Sequence, residues 1–220
     1  MKGKHETPQL FWPGKSMHGS VVLNFMNRPE SEFSLYAAAF WRGGRLLAQS
    51  LADKGGYRDL DACPIVFLYR HALELYMKAI VRRGKSVLSI AGEKLIIPPK
   101  ALERHELPPL VEPIRKIFTH LGWVSKTQPE GRRVFREFAA LVGNINRLDS
   151  GSYTFRYPVN KKDKALVSHH FGFNVLEFAE QVEKGIRFLD GAATGLEEEW
   201  DQRASEAYAK QEAAKPRKPR

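Results

Sequence analysis

Apolar positions recur along this chain at helical spacing in five separate stretches, and the spacing predicts five amphipathic helices. The second is the most telling. In Pro64 to Arg83, PIVFLYRHALELYMKAIVRR, residues Ile65, Leu68, Tyr69, Ala72, Leu73, Leu75, Tyr76, Ala79 and Ile80 cover a wide apolar arc. Arg70, His71, Glu74 and Lys78 share the remaining strip. An arc broader than a surface helix needs predicts a central helix with neighbours on two sides. Its charged strip is then either a solvated edge or the lining of a groove. Spacings of three and four residues link Arg70, His71, Glu74 and Lys78, which suits a ladder of ion pairs. Once buried, Glu74 would need Arg70 or Lys78 as an obligatory partner.

The other elements follow from the same pattern. Residues 1–30 read as an irregular arm punctuated by Pro8, Pro13, Gly14, Gly19 and Pro29. The first helix starts near Ser31 and carries Phe33, Tyr36, Ala37, Phe40, Leu47 and Leu51. Gly43 and Gly44 either weaken it or let another backbone approach, and Gly55-Gly56 ends it. After Arg83 and Gly84 the period changes. Val87–Ile90 and Leu95–Ile97 read as a small β-hairpin near 87–97 or as an ordered surface loop.

Leu107, Leu110, Val111, Ile114, Ile117, Phe118 and Leu121 stripe a third helix, which Pro113 should kink or delay. A fourth runs from about Glu130 to Leu148, and the last core helix carries Phe171, Val175, Phe178, Val182, Ile186 and Leu189. Beyond Gly195 a helix resuming through Trp200 would be polar on every face. The expected architecture is an all-α, up-and-down bundle over residues 31–194, followed by a polar helical extension and basic tail at 195–220.

Composition narrows the class. At 220 residues with 43% hydrophobic content the chain can bury one sizeable core. Cys63 is the single cysteine, so no internal disulfide or multi-cysteine metal site is available, which suits a reducing cytosol. The start, MKGKHETPQLFWPGK, has no apolar stretch of signal-peptide length, and no window approaches a membrane span. The expectation is a cytoplasmic protein without membrane contact. From Ala209 the tail sets five cations against Glu212 alone, +4 of the net +10. Such a tail is either a phosphate-neutralising arm or a solvated end.

Two regions could carry chemistry. One is the strip Arg70, His71, Glu74, Lys78, with His105 opening the third helix as a cap or solvated end. The other is the loop SYTFRYP, in which Tyr153, Phe155 and Tyr157 surround Arg156. These rings could stack bases while the arginine grips a phosphate. The preferred alternative has Phe155 and Tyr157 plugging the bundle end while Arg156 pairs with Glu74. No two of the seven histidines have helical ligand spacing, and no glycine-rich phosphate loop or nucleophile elbow is present. No metal or other cofactor is expected.

The run YRHALELYMKAI, then RHELPPLVEPI, then SYTFRYP before the last helix, resembles uncharacterised prokaryotic proteins of the HEPN superfamily, over Cys63 to about Leu189. The resemblance implies a helical bundle, commonly a homodimer. It also implies one of two roles within defence or toxin–antitoxin systems: an inactive module binding RNA or a protein partner such as an antitoxin, or a metal-independent endoribonuclease. A purely structural interaction protein is a further alternative.

The family's ribonucleases place an arginine and a histidine four to six residues apart near the start of a late helix. Here the only such pair is Arg115 and His120, at the end of the third helix. Arg156 precedes His169 and His170 by thirteen and fourteen residues. The catalytic role therefore does not carry over by position, and Arg156, His169, His170 and His71 stay candidates only through convergence in space. A binding module is the expected function.

Overall fold

A computed structural model describes residues 21, 32–54, 59–167 and 171–214. Among these residues five α-helices form: α1 (Phe33–Lys54), α2 (Ala62–Ile90), α3 (Pro108–His120), α4 (Pro129–Leu148) and α5 (Val175–Ala214), with a single 3-10 turn at Asp59–Asp61 before α2. The chain is an all-α bundle. Among the described residues no strand forms, and the single β-bridge joins Val159 to Ala165. No helix of the described residues is long and apolar enough to cross a membrane. The expected N-terminal arm lies almost wholly outside the described residues.

α2 is the central element, packed against α1, α3 and α5. Most of its apolar arc is buried: Tyr69, Ala72, Leu73, Tyr76 and Ile80 are at most 1% exposed, as are Met77 and Val81 beside them, while Leu68, Leu75 and Ala79 are half-buried. Three polar links bind it to α5 at heptad intervals. The Tyr69 hydroxyl donates to Glu183 at 2.8 Å, the Tyr76 hydroxyl to Asp190 at 2.7 Å, and Arg83 Nε to Glu197 at 2.8 Å. Since both partners advance by seven residues at each step, the two helices run in the same direction. Burial, reinforced by the carboxylate partners, raises both phenols above their ordinary pKa.

The expected break at Gly84 and the β-hairpin after it are both corrected. α2 continues through Gly84 to Ile90, so Val87–Ile90 is its last turn, and Leu95–Ile97 is irregular chain. Gly84 is a packing residue: a Cβ there would lie 2.3 Å from Ile117 Cδ1 of α3. The terminator is Gly92, at φ +76°. Its N–H donates to Ser89 O, and that of Glu93 donates to Leu88 O, the paired closure of a Schellman motif.

Gly43 and Gly44 likewise lie within an unbroken α1, where the Tyr69 ring lies 3.1 Å from the place a Gly44 Cβ would take. α3 starts at Pro108 and carries Pro113 inside it. α5 passes Gly195 without interruption, and Leu196 is still fully buried. Phe171, expected on the stripe of the last helix, precedes α5 and is 45% exposed.

Candidate nucleic-acid interface

The charged strip of α2 is buried, and it splits into two functions. Arg70 is completely inaccessible, Glu74 is 1% exposed and Lys78 5%. Glu74 sits at the centre: Arg70 Nη1 is 3.1 Å from Oε2, Lys78 Nζ is 2.8 Å from Oε1, and His105 Nδ1 is 3.0 Å from Oε1. Burial alone would push the Glu74 carboxyl up, but the hydrogen bonds and charges of Lys78 and His105 outweigh it and hold the group below its ordinary pKa. An unpaired buried charge would cost several kcal/mol, so this clustering is obligatory rather than decorative.

Arg70 uses its remaining donors outside α2. Nη2 donates to His105 O at 2.6 Å, and Nε donates to Asp149 O at 3.2 Å while lying 3.3 Å from Asp149 Oδ2. Asp149 is 3% exposed and directly follows α4. Its Oδ1 accepts the backbone N–H groups of Tyr153 and Thr154 at 2.8 and 3.2 Å. One buried arginine therefore ties the central helix to the chain before α3 and to the loop after α4. His105, expected as a cap or solvated end, is a member of this network, because α3 begins three residues later at Pro108.

Held by Asp149, the loop turns sharply. Ser152 takes φ +63° and is buried, its carbonyl accepting Arg156 Nε. The N–H groups of Arg156 and Tyr157 both donate to Tyr153 O at 3.0 Å. Arg156 lies among three aromatic faces, its guanidinium carbon 5.2 Å from the Tyr153 ring centre, 5.4 Å from Phe67 and 5.5 Å from Tyr157. The expected Arg156–Glu74 pair is thus overturned. Glu74 is saturated by three other partners, while the rings and Ser152 hold Arg156 at the surface.

His71 belongs to this aromatic group rather than to the ion network. Its ring stacks on Phe67 at 5.6 Å and meets Phe40 edge-on at 4.4 Å. Burial lowers its pKa against the opposing pull of Glu74, so it is uncharged at neutral pH.

Beyond Pro158 the chain doubles back. Asn160 Oδ1 accepts the N–H groups of Lys162 and Lys164, at 2.8 and 3.3 Å, and Leu166 N donates to Pro158 O at 3.1 Å. This turn projects Lys161, Lys162 and Lys164, all exposed, with Asp163 as the one acidic residue among them. A groove of about 740 Å³ lies between the turn and the tyrosines, lined by Tyr153, Tyr157, Val159, Lys161, Lys162 and Leu166. Tyr153 is 45% and Tyr157 52% exposed. Phe155 faces the interior, packed on the core and against Phe173.

The structure thus gathers Arg70, Glu74 and Lys78, with His105 at the edge, into one buried cluster, and Tyr153, Arg156 and Tyr157 into one surface cluster that Phe67 joins to the half-buried His71. Arg115 and His120 face different partners: Arg115 is held bidentately by Glu112 at 2.7 Å, and His120 Nδ1 lies 3.0 Å from Glu93. His169 and His170 lie outside the described residues, as do 215–220 of the basic tail. Sequence reasoning missed Asp149, Phe67 and the lysine turn. Asp149 was detectable as an acidic side chain just past a helix end, ahead of Ser-Gly-Ser, where aspartate favours capping exposed N–H groups. Compared with protein-family models, curated proteins and solved structures, the chain matches none.

Proposed function

We propose that this chain is a HEPN-like helical module that binds single-stranded RNA through the loop at 150–166. The observation that carries this reading is Arg156 clasped by Phe67, Tyr153 and Tyr157, with both tyrosines half exposed beside three exposed lysines. Single-strand binders combine aromatic faces for bases with a positive groove for the backbone, and this groove supplies both. The rigid anchoring supports it too, because a loop fixed by the buried Arg70–Asp149 pair loses little entropy on binding. The choice of RNA among polyanions rests on the resemblance carried by YRHALELYMKAI, RHELPPLVEPI and SYTFRYP.

The test is a titration of fluorescein-labelled single-stranded RNA by anisotropy over a range of salt concentrations. Replacing Lys161 and Lys162 together by glutamine removes two phosphate contacts. The slope of log affinity against log salt should become shallower by about 1.4, at roughly 0.7 per contact on a single strand. An unchanged slope would place the RNA elsewhere. Intact RNA recovered at the end distinguishes binding from the ribonuclease alternative.

A further inference from the structure

A second basic cavity lies about 22 Å along α2 from Phe67, and the loop does not reach it. Its volume is about 250 Å³, and Ser34, Arg82, Arg83, Lys85, Ser86 and Glu197 supply its polar wall over a floor of Ala79 and Ile80. The three cations are not equivalent. Arg83 is already neutralised, with Nη2 2.7 Å from Glu197 Oε2 and the guanidinium stacked 4.6 Å from the Trp200 ring centre. Arg82 is fixed by stacking over Phe33 at 4.6 Å, yet its Nε is buried without an acceptor among the described residues. Among the described residues, neither Arg82 nor Lys85 has an acidic partner.

A buried donor without an acceptor costs roughly 1–3 kcal/mol, and the one carboxylate of the wall, Glu197, is already engaged by Arg83, so that cost stays unmet at Arg82. Counting Glu197, the wall carries a net charge of +2. We infer that this cavity binds the dianion of a phosphate group, either free or as the terminal monoester of a larger molecule. A guanidinium held flat by an aromatic ring presents its fork to phosphate oxygens in fixed geometry. Lys85 and the Ser86 hydroxyl stand exposed at the rim to close over the same group. The volume falls below that of pockets enclosing a drug-sized ligand, so the phosphate enters while most of its carrier stays outside. The inference does not depend on the RNA reading of the loop.

Calorimetric titration at constant ionic strength tests it, with inorganic phosphate as one probe and a 5′-phosphorylated oligoribonucleotide, set against its 5′-hydroxyl twin, as the other. Wild type should bind at least one phosphate probe at millimolar concentration or tighter. Arg82→Gln should weaken that binding by about tenfold or more, the loss of one charge-assisted contact. Lys85→Gln, a surface change that leaves the fold alone, should weaken it several-fold, while Tyr153→Ala/Tyr157→Ala should leave inorganic phosphate binding unchanged. Preference for the 5′-phosphorylated strand with weak inorganic binding would identify an RNA end as the source. Equal affinity for both would identify free phosphate. No binding of either probe, or binding that Lys85→Gln and a folded Arg82→Gln leave intact, would overturn the assignment.

Discussion

Arg70→Met should destabilise the bundle by about 3–5 kcal/mol, the range for removing one member of a buried ion pair. For a chain of this size that corresponds to a fall in Tm on the order of 10 °C. Arg70 is 0% exposed and is the only cation shared by Glu74 and Asp149 among the described residues. Methionine can fill its volume but leaves the Asp149 carboxylate without a cation and removes one partner from Glu74. Lys78 and His105 remain on Glu74, so the loss concentrates at Asp149 and the loop that Asp149 caps. A double-mutant cycle of Arg70→Met with Asp149→Asn should therefore show strong coupling, while Arg70→Met with Arg156→Met should be additive. Chemical denaturation of wild type, the three single variants and the two double variants measures both. Additivity at Asp149 would mean that the buried link does not hold the loop.

The second large effect belongs to the interface. Tyr153→Ala/Tyr157→Ala should weaken single-stranded RNA binding by about thirtyfold or more, since each of the two stacked bases is worth roughly 1–3 kcal/mol. Both rings flank Arg156 and line the groove, so their loss removes the stacking faces and releases the arginine from two of its three aromatic contacts. Because the two side chains are half exposed and lie outside the core, the melting temperature should change little. The salt dependence should persist, because Lys161, Lys162 and Lys164 remain. Anisotropy titration beside a thermal melt separates the two effects. Parallel loss of stability and affinity would reduce the tyrosines to a structural plug.

How much of this was legible beforehand depends on which force decided each element. Helical periodicity located all five helices, because burial of one stripe dominates their energetics and leaves its spacing in the chain. The breadth of the α2 arc announced a central helix, and Glu74 was legible as the polar hub from its place beside that arc. Gly84 misled, because a glycine that stops a helix and a glycine that admits a neighbouring side chain look alike in sequence. Only Ile117 of α3 tells them apart. Arg156 misled for a related reason: three rings and Glu74 were both chemically suitable, and the choice was made by Lys78, Arg70 and His105 filling Glu74 first. Asp149 was missed because its role depends on a contact 79 residues away, with Arg70. The chemistry of the loop was visible in SYTFRYP, whereas its depth and the lysine turn beside it required the fold.

The central claim is that RNA rests on the loop at 150–166. Ultraviolet cross-linking of a 4-thiouridine-containing single strand to the full chain, followed by mass-spectrometric mapping of the attached peptides, locates the contact directly. The account predicts that the principal adducts fall on Tyr153, Tyr157 or the Lys161–Lys164 turn and are competed by unlabelled RNA. Adducts confined to other helical faces or to the basic tail, with the loop peptide unmodified, would contradict it.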